Sequence, residues 1–207
     1  MKPGRLLVLG LMAVSLAACA AREQRPAGAW LSEREALFAA HPVWSVSGRM
    51  GLSDGVRGGS LAFDWQASGD VHELSLRTVA GGRQWRLAFG PDGAILEGSG
   101  IERMWAPDPD PLVEAAVGWP VPVRDMAWWI RGLPPPAAEA GMFFAADGSL
   151  ARVDSAPWTM EYQRFDITGQ ALMPSRLQAE SGRYRVRVVL RDWLLEPIES
   201  HRVSNSL

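Results

Sequence analysis

Apolar side chains recur at every second position over much of this chain, and that alternation constrains the fold more than any other feature of the sequence. In the first such segment the alternating positions are Trp44, Val46, Gly48, Met50 and Leu52. Later segments repeat the pattern at Leu61, Phe63 and Trp65, at Leu74 and Leu76, at Trp85, Leu87 and Phe89, at Trp158, Met160 and Tyr162, and at Tyr184, Val186, Val188 and Leu190. Successive side chains of a strand point to opposite faces of its sheet, so this period predicts strands with one buried face.

Short turn signals separate the predicted strands. They are Asp54-Gly55, Ser68-Gly69-Asp70, Pro91-Asp92-Gly93, Asp147-Gly148 and Ser181-Gly182. Such pairs supply the backbone conformations of tight hairpins, and hairpins join antiparallel neighbours. We therefore expect an antiparallel meander in the first half of the chain and further strands after the middle.

Three helices are expected around these strands. The first starts at Trp30 with a capping box formed by Ser32 and Glu35, and it ends before Pro42. A second is expected to open at Pro111 and to close near Gly118, where glycine is favoured after a helix.

Asp110 is the expected cap of this second helix, and a third helix should run from Val123 to Ile130. Strands interrupted once by a helical pair predict a mainly β fold with some α structure. The expected architecture is a curved or incomplete barrel with helices against its concave side.

The N-terminus has the layout of a secretory signal. Lys2 and Arg5 precede an apolar run from Leu6 to Val14, and Leu16-Ala17-Ala18-Cys19 follows. The run is too short to cross a bilayer core, which needs about 20 apolar residues. We expect a signal peptide at residues 1–18, a lipidated tether at residues 19–29 and one domain at residues 30–207.

Cys19 ends a tetrapeptide that resembles a lipobox, in which the thiol accepts a diacylglyceryl group before cleavage. It is the only cysteine of the chain, so a disulfide framework is excluded. The alternative is an ordinary signal peptide that contains one cysteine. In lipoproteins of this class a residue other than aspartate after the cysteine implies export to the outer membrane, and here Ala20 follows.

Charge and residue types exclude several activities. The net charge is −2 at pH 7 before the signal leaves, so nucleic-acid binding is not expected. Lys2 is the sole lysine, which removes the Walker A, Schiff-base and Ser-Lys chemistries from the remaining chain. The dispersed His41, His72 and His201 give no metal-ligand spacing and are each expected at the surface or at an edge.

No nucleophile elbow is present either, because Gly98-Ser99-Gly100 lacks the required spacing. We expect no enzyme activity, no metal and no cofactor. Ten tryptophans remain to be explained, either by a tryptophan-rich β core or by a cavity that faces lipid.

A series of short motifs resembles the LolB family of outer-membrane lipoproteins over nearly the whole chain after Cys19. In order they are Trp44 with Gly48-Arg49, Phe63-x-Trp65, Gly118-Trp119-Pro120-Val121-Pro122, Trp129-Ile130-x-Gly132-Leu133-Pro134, Trp158 with Tyr162, Met173-Pro174, and Trp193. The resemblance implies an open antiparallel half-barrel of about eleven strands, with short helices covering a hydrophobic cavity. It also implies a monomer that accepts acylated lipoprotein cargo from the periplasmic carrier LolA and inserts it into outer-membrane lipid.

The cavity implied by the resemblance would take acyl chains. Its candidate lining residues are Phe63, Trp65, Trp85, Leu87, Trp105, Met126, Trp129, Ile130, Trp158, Met160 and Trp193. Each of them is equally compatible with a place in the sheet core.

The chain departs from the family at a loop that carries a protruding leucine, typically in Pro-Leu-Gly, for membrane insertion. Here the loop reads Thr78-Val79-Ala80-Gly81-Gly82, with Ala80 at the leucine position and Val79 before it. The resemblance implies that Val79 and Ala80 form the insertion loop. An ordinary glycine-containing hairpin turn is the alternative.

The sequence therefore leaves two candidate functions. The first is a lipoprotein receptor and insertion factor. The second is a lipid-anchored binding or scaffold protein of the envelope, with the same half-barrel but no transfer activity; a hydrolase has little support.

Overall fold

A computed structural model describes residues 28–136 and 140–197 of this chain. The predicted signal, Cys19, the tether up to residue 27 and His201 lie outside those residues. The first six strands are β1 (Val43–Ser53), β2 (Gly58–Ser68), β3 (Val71–Thr78), β4 (Gln84–Gly90), β5 (Gly93–Gly98) and β6 (Ile101–Ala106). The remaining five are β7 (Gly141–Phe144), β8 (Leu150–Ser155), β9 (Trp158–Thr168), β10 (Ala171–Ser181) and β11 (Tyr184–Glu196).

All eleven strands form one open antiparallel sheet. Their order is β6-β5-β4-β3-β2-β1-β11-β10-β9-β8-β7, so the first and last strands pair in the middle. The two edges, β6 and β7, follow each other in the chain, and the intervening residues contain two helices. The segment that contains these helices therefore connects the two free edges of the sheet. The predicted mainly β, open half-barrel is confirmed.

The register of β1 with β2 and β11 requires glycine at position 48. It pairs with Phe63 of β2 on one side and with Leu190 of β11 on the other. A Cβ at position 48 would lie 2.4 Å from the carbonyl oxygen of Val189 and 2.6 Å from the Phe63 ring. Only glycine lets the phenyl ring lie over this strand, which explains the glycine in an otherwise bulky apolar series.

Helix α1 (Ala29–Ala40) begins one residue before the predicted start. The predicted capping box is wrong: Gly28 is the N-cap, no side chain caps the helix, and the Ser32 hydroxyl donates to the carbonyl oxygen of Ala29 instead. The buried face is Trp30, Arg34 and Phe38, which are spaced four residues apart and therefore share one side of the helix.

Helix α2 (Pro109–Val117) begins two residues before the predicted Pro111. Asp108 and not Asp110 is its N-cap, and the Asp108 carboxylate accepts the backbone N–H of Asp110 at 3.0 Å. Sequence allowed either assignment because Asp-Pro occurs twice in succession here. Gly118 ends the helix with φ +78°, as predicted.

Helix α3 (Val123–Trp129) ends at Ile130, its C-cap, close to the predicted span. It packs against α2, and α2 in turn contacts β4, β5 and β6. The apolar sides of the helices and one face of the sheet form a continuous buried cluster. We call the sheet face covered by the helices the inner face. Over the residues that the structure describes, none of the helices combines the length and apolar character needed to cross a bilayer.

Candidate functional site

The space between the helices and the inner face is the candidate site. Nine of the predicted lining residues lie in it and are between 0% and 8% exposed: Phe63, Trp65, Trp85, Leu87, Met126, Trp129, Ile130, Trp158 and Met160. The first four belong to β2 and β4, the last two to β9, and the others to α3 and its C-cap. The helices and the sheet thus contribute apolar surfaces that cover each other. Contact of these side chains with acyl chains stays a prediction.

Trp105 was expected in the same interior, and the structure contradicts this. It lies on the edge strand β6 opposite Ile95, and its side chain is 64% exposed. The neighbouring position, Met104, pairs with Leu96, which is fully buried on the inner face. Residues that are paired across strands point to the same face, so Trp105 points to the outer face. The sequence shows an apolar residue on a strand but does not show which face an edge strand buries.

Trp193 has an intermediate position at the rim of the interior. Its ring centroid lies 5.7 Å from that of Trp44 in the core, and its indole N–H donates to the carbonyl oxygen of Pro174 at 3.2 Å. The other side of Trp193 lines a cleft of about 720 Å³ between α1 and the ends of β9, β10 and β11. Trp193 therefore separates this cleft from the packed interior.

The cleft next to Trp193 has both apolar and polar walls. Leu37 of α1 and Leu172 of β10 are among its apolar walls, and Glu33, Arg34 and His41 line its polar part. Its volume is within the range of pockets that bury most of a drug-sized ligand. The cleft thus offers apolar and polar walls side by side at one edge of α1.

Side-chain hydrogen bonds hold the helices over the interior. The indole N–H of Trp30 donates to the carbonyl oxygen of Gly132 at 2.8 Å, which joins α1 to the segment after α3. The hydroxyl of Tyr162 on β9 donates to the carbonyl oxygen of Trp129 at 2.9 Å, which joins α3 to the sheet. Burial raises the pKa of Tyr162 well above its usual range, so this hydroxyl stays a donor.

Arg34 joins α1 to strand β10. Its guanidinium donates to the carbonyl oxygen of Leu172 and to the sulfur of Met173, and it lies 4.4 Å from the centroid of the Trp30 ring. The side chain is 4% exposed. Sequence reasoning missed this residue, although its place four residues from both Trp30 and Phe38 puts it on the buried stripe.

A second buried arginine follows α3. The Nε–H of Arg131 donates to the carbonyl oxygen of Ala127 at 2.8 Å, and the guanidinium carbon lies 4.3 Å from the Trp128 ring centroid and 5.4 Å from that of Phe38. Burial lowers the pKa of Arg131 to about 10, an effect that the negative charge of Asp70 opposes. The group stays charged at neutral pH and is surrounded by aromatic faces.

His72 lies beside this arginine and is buried, whereas the sequence predicted a surface or edge histidine. Its ring stacks on Phe89 with centroids 4.6 Å apart, and its Nδ1 accepts the indole N–H of Trp65 at 3.2 Å. Burial, and secondarily the charge of Arg131, lower the pKa of His72 to about 4. A neutral imidazole therefore satisfies the indole donor inside the core. The placement excludes it as an exposed acid or base.

The predicted insertion loop connects β3 to β4. The backbone N–H of Val79 donates to the carbonyl oxygen of Ser60 on β2 at 3.1 Å, and the Thr78 N–H donates to the carbonyl oxygen of Arg83 at 2.9 Å. These bonds fix the base of the loop, while the Val79 side chain is 53% exposed and Ala80 is exposed at the tip. Gly81 and Gly82 have φ angles of +102° and +68°, which glycine adopts readily. An apolar tip on a fixed base is thus presented to the surroundings; its role in insertion stays a prediction.

In the part of the chain that the structure describes, His, Asp and Glu side chains form no group of three or more placed to hold a metal ion. The largest shift toward neutrality among the carboxyl groups is at Asp110, whose pKa burial raises to about 6. This carboxylate accepts the backbone N–H of Arg124 and links α2 to α3. It therefore has a structural partner.

Comparison with known proteins assigns a family to this arrangement. The family described as "Outer membrane lipoprotein LolB" matches residues 42–193. A relative from Alkalilimnicola ehrlichii, named outer-membrane lipoprotein LolB, is 36% identical over 95% of this chain and 100% of its own length. A relative of the same name from Stutzerimonas stutzeri is 29% identical over 90% of this chain and 94% of its own.

Solved structures share the fold at low sequence identity. A LolA superfamily protein from Nitrosomonas europaea superposes with a TM-score of 0.57 over 86% of this chain and 96% of its own, at 8% identity. A DUF1329 family protein from Desulfovibrio piger superposes with a TM-score of 0.50, at 6% identity, over 83% of this chain and 93% of its own. An open sheet with helices against one face is therefore an architecture that divergent sequences adopt.

Proposed function

This chain belongs to the LolB family of outer-membrane lipoproteins, and from that premise we propose that it receives acylated lipoproteins from the carrier LolA and inserts them into the outer membrane. The observation that carries the proposal is the apolar layer between the helices and the inner face. Trp65, Leu87 and Trp129 in this layer are each 0% exposed. If the helices move away from the sheet, the same side chains become the walls of an acyl-binding cavity.

The physical need for such a cavity follows from the cargo. Each methylene group exposed to water costs about 0.8 kcal/mol, so an acyl chain of ordinary length cannot cross an aqueous space unprotected. The helices are joined to each other and to the sheet by the Trp30–Gly132 and Tyr162–Trp129 hydrogen bonds. Each bond of this kind contributes about 1 kcal/mol net, so cargo burial is large enough to offset their loss.

The N-terminal part of the proposal concerns residues outside the described ranges. We propose that residues 1–18 are removed as a signal peptide and that Cys19 carries the lipid that anchors the protein, facing the periplasm. Residues 20–27 then act as a tether for the domain, whose first helix begins at Ala29 after its N-cap Gly28. Two or more acyl chains on one cysteine make such an anchor stable.

A transfer assay tests the proposal with the tryptophans of the chain as reporters. LolA is loaded with a lipoprotein whose acyl chains carry bromine atoms, which quench indole fluorescence on contact, and is mixed with this protein. We expect quenching that becomes smaller in Trp129→Phe and stays unchanged in Trp105→Phe, because Trp105 is on the outer face. Failure to take up cargo would contradict the proposal and favour a lipid-anchored scaffold without transfer activity.

A further inference from the structure

The two ends of the sheet carry opposite charges in their hairpin turns. The turns at one end are residues 54–57, 79–83, 99–100, 156–157 and 182–183, and they contain Arg57, Arg83 and Arg183. The turns at the other end are residues 69–70, 91–92, 145–149 and 169–170, and they contain Asp70, Asp92 and Asp147 but no basic residue. We call these the basic end and the acidic end.

Asp54 is the one acidic residue in the turns of the basic end, and its carboxylate bonds to its own turn. Its carboxylate accepts the backbone N–H groups of Val56 and Arg57 at 3.0 and 2.7 Å. These bonds lower its pKa, and its side chain is only 8% exposed. Its other oxygen lies 3.4 Å from the Arg57 guanidinium, whose side chain is 73% exposed. The carboxylate is thus largely covered, and the exposed charged groups of these turns are the three guanidinium groups.

Each arginine of the basic end lies over an aromatic ring. The guanidinium carbons lie 5.5 Å from the ring centroid of Trp119 for Arg57, 4.8 Å from that of Trp85 for Arg83, and 5.1 Å from that of Tyr184 for Arg183. Trp119 and Tyr184 are partly exposed, and such amphipathic rings are enriched where proteins meet lipid headgroups, whereas Trp85 is buried and only positions Arg83. The rings restrict the arginine side chains to the end of the sheet.

Exposed apolar tips accompany these arginines. Val56, in the β1–β2 turn, is 93% exposed, and Val79, in the β3–β4 loop, is 53% exposed. The two loops lie at the same end of neighbouring hairpins, because β2 pairs with both β1 and β3. An apolar tip flanked by cations matches a bilayer surface, where the valine enters the interface and the guanidinium groups contact phosphates.

We propose that the basic end docks on a bilayer surface that carries anionic headgroups, with Val56 and Arg57 of the β1–β2 turn as a second contact beside the Val79 loop. The inference rests on the proposed function only in placing the chain at the outer membrane. It assigns to Val56, Arg57, Arg83 and Arg183 a role in lipid contact. The acidic end is then turned away from the anionic surface.

Vesicle co-sedimentation tests this inference. The chain from residue 20 onward contains every described residue and has no lipid of its own. It is mixed with vesicles of phosphatidylcholine alone or of phosphatidylcholine with one quarter phosphatidylglycerol. We expect stronger binding to the anionic vesicles and a decrease with added salt. Arg57→Gln and Arg183→Gln should each weaken binding to anionic vesicles about fivefold, and Val56→Glu by about tenfold.

Matched controls come from the other end of the sheet. Ile167 is 78% exposed near the acidic end, and Arg164 there has a side chain that is 64% exposed, so Ile167→Glu and Arg164→Gln should bind vesicles like the parent. Unchanged circular dichroism and thermal unfolding establish that each variant is folded. The inference is overturned if the Val56 and Arg57 variants bind as the parent does, or if the controls weaken binding equally.

The LolA transfer assay, run without vesicles on the same variants, separates the two proposals. Normal cargo uptake by Val56→Glu together with weak vesicle binding supports the inference. Absence of cargo uptake by the parent chain contradicts the proposed function, whereas the vesicle result still tests the basic end independently.

Discussion

The indole Nε1 of Trp30 lies 2.8 Å from the carbonyl oxygen of Gly132, and a Cβ at residue 132 would stand 3.0 Å from the same ring. This one contact connects the first helix of the domain to the segment that follows the last. Gly132 has a φ of +78°, so both its backbone conformation and its missing side chain are needed for the ring to reach the carbonyl group. The contact therefore contributes to holding α1 over the interior.

Trp30→Phe removes the donor and leaves the Gly132 carbonyl group without this partner inside the protein. We expect the free energy of unfolding to fall by about 1–3 kcal/mol. Urea unfolding monitored by circular dichroism measures this. Trp105→Phe is the matched control, since its exposed ring makes its loss nearly neutral. Equal stability of the two variants would contradict the assigned role of the hydrogen bond.

Gly48→Ala should disturb the centre of the sheet. The added Cβ would lie 2.4 Å from the Val189 carbonyl oxygen, which is backbone and cannot turn away as a side chain would. We expect a loss of about 1–3 kcal/mol from overpacking. Gly51→Ala is the control, because no heavy atom lies within 4 Å of a Cβ at that position of the same strand. A similar denaturation midpoint for the two variants would refute the prediction.

Tyr162→Phe removes the hydroxyl that joins β9 to α3. The carbonyl group of Trp129 loses its bond to the sheet, and we expect a destabilisation of about 1 kcal/mol with the ring packing preserved. Because the same bond holds α3 against the sheet, its loss should make opening easier. The variant should therefore take up LolA-bound cargo at least as fast as the parent. Stopped-flow quenching of tryptophan fluorescence by brominated cargo measures the rate, and slower uptake would count against an opening of α3.

His72 should make stability depend on pH. Its pKa is about 4 in the folded protein and 6.5 in an ordinary environment, so between these values the unfolded chain binds a proton that the folded protein does not. The stabilisation of the folded protein by neutral His72 is complete above pH 6.5. It is lost as the pH falls toward 4, and the free energy of unfolding decreases by up to about 3 kcal/mol. The raised pKa of Asp110 acts in the opposite direction over an overlapping range.

Comparison with His72→Gln isolates the histidine, because Asp110 titrates in both proteins. Between pH 7 and pH 4 the unfolding free energy of the parent should fall relative to that of the variant. Parallel pH profiles would show that His72 does not titrate as predicted.

Val79→Glu tests the insertion loop. A charged side chain at a half-exposed valine does not disturb the core, so cargo uptake from LolA should be preserved. Delivery to membranes should fall about tenfold, because a carboxylate replaces the apolar group that enters the interface. Equal loss of uptake and delivery in a two-step transfer assay would argue against a dedicated insertion role.

Much of the fold could be predicted because the alternation from Trp44 to Leu52 is a local signal that fixes both strand type and buried face. The motif resemblance to the LolB family is confirmed, as is the open half-barrel with short helices. The start of α2 could not be predicted, since Asp108-Pro109 and Asp110-Pro111 each offer a carboxylate cap followed by proline. Only packing selects the first pair. Trp105 was misplaced because the sequence does not show which face of the edge strand β6 is buried; its pairing with Ile95 decides this.

The sequence by itself determined six of the eleven strands, most hairpin turns and the family, because these depend on side-chain period, turn chemistry and motif order along the chain. Tertiary structure alone decided which groups meet across long distances in sequence. It buried His72 against Phe89 and Arg131, joined Trp30 to Gly132, and gathered Arg57, Arg83 and Arg183 at one end of the sheet. The physical reason is that burial and charge are properties of neighbours in space, and strand pairing brings together residues that no local pattern relates.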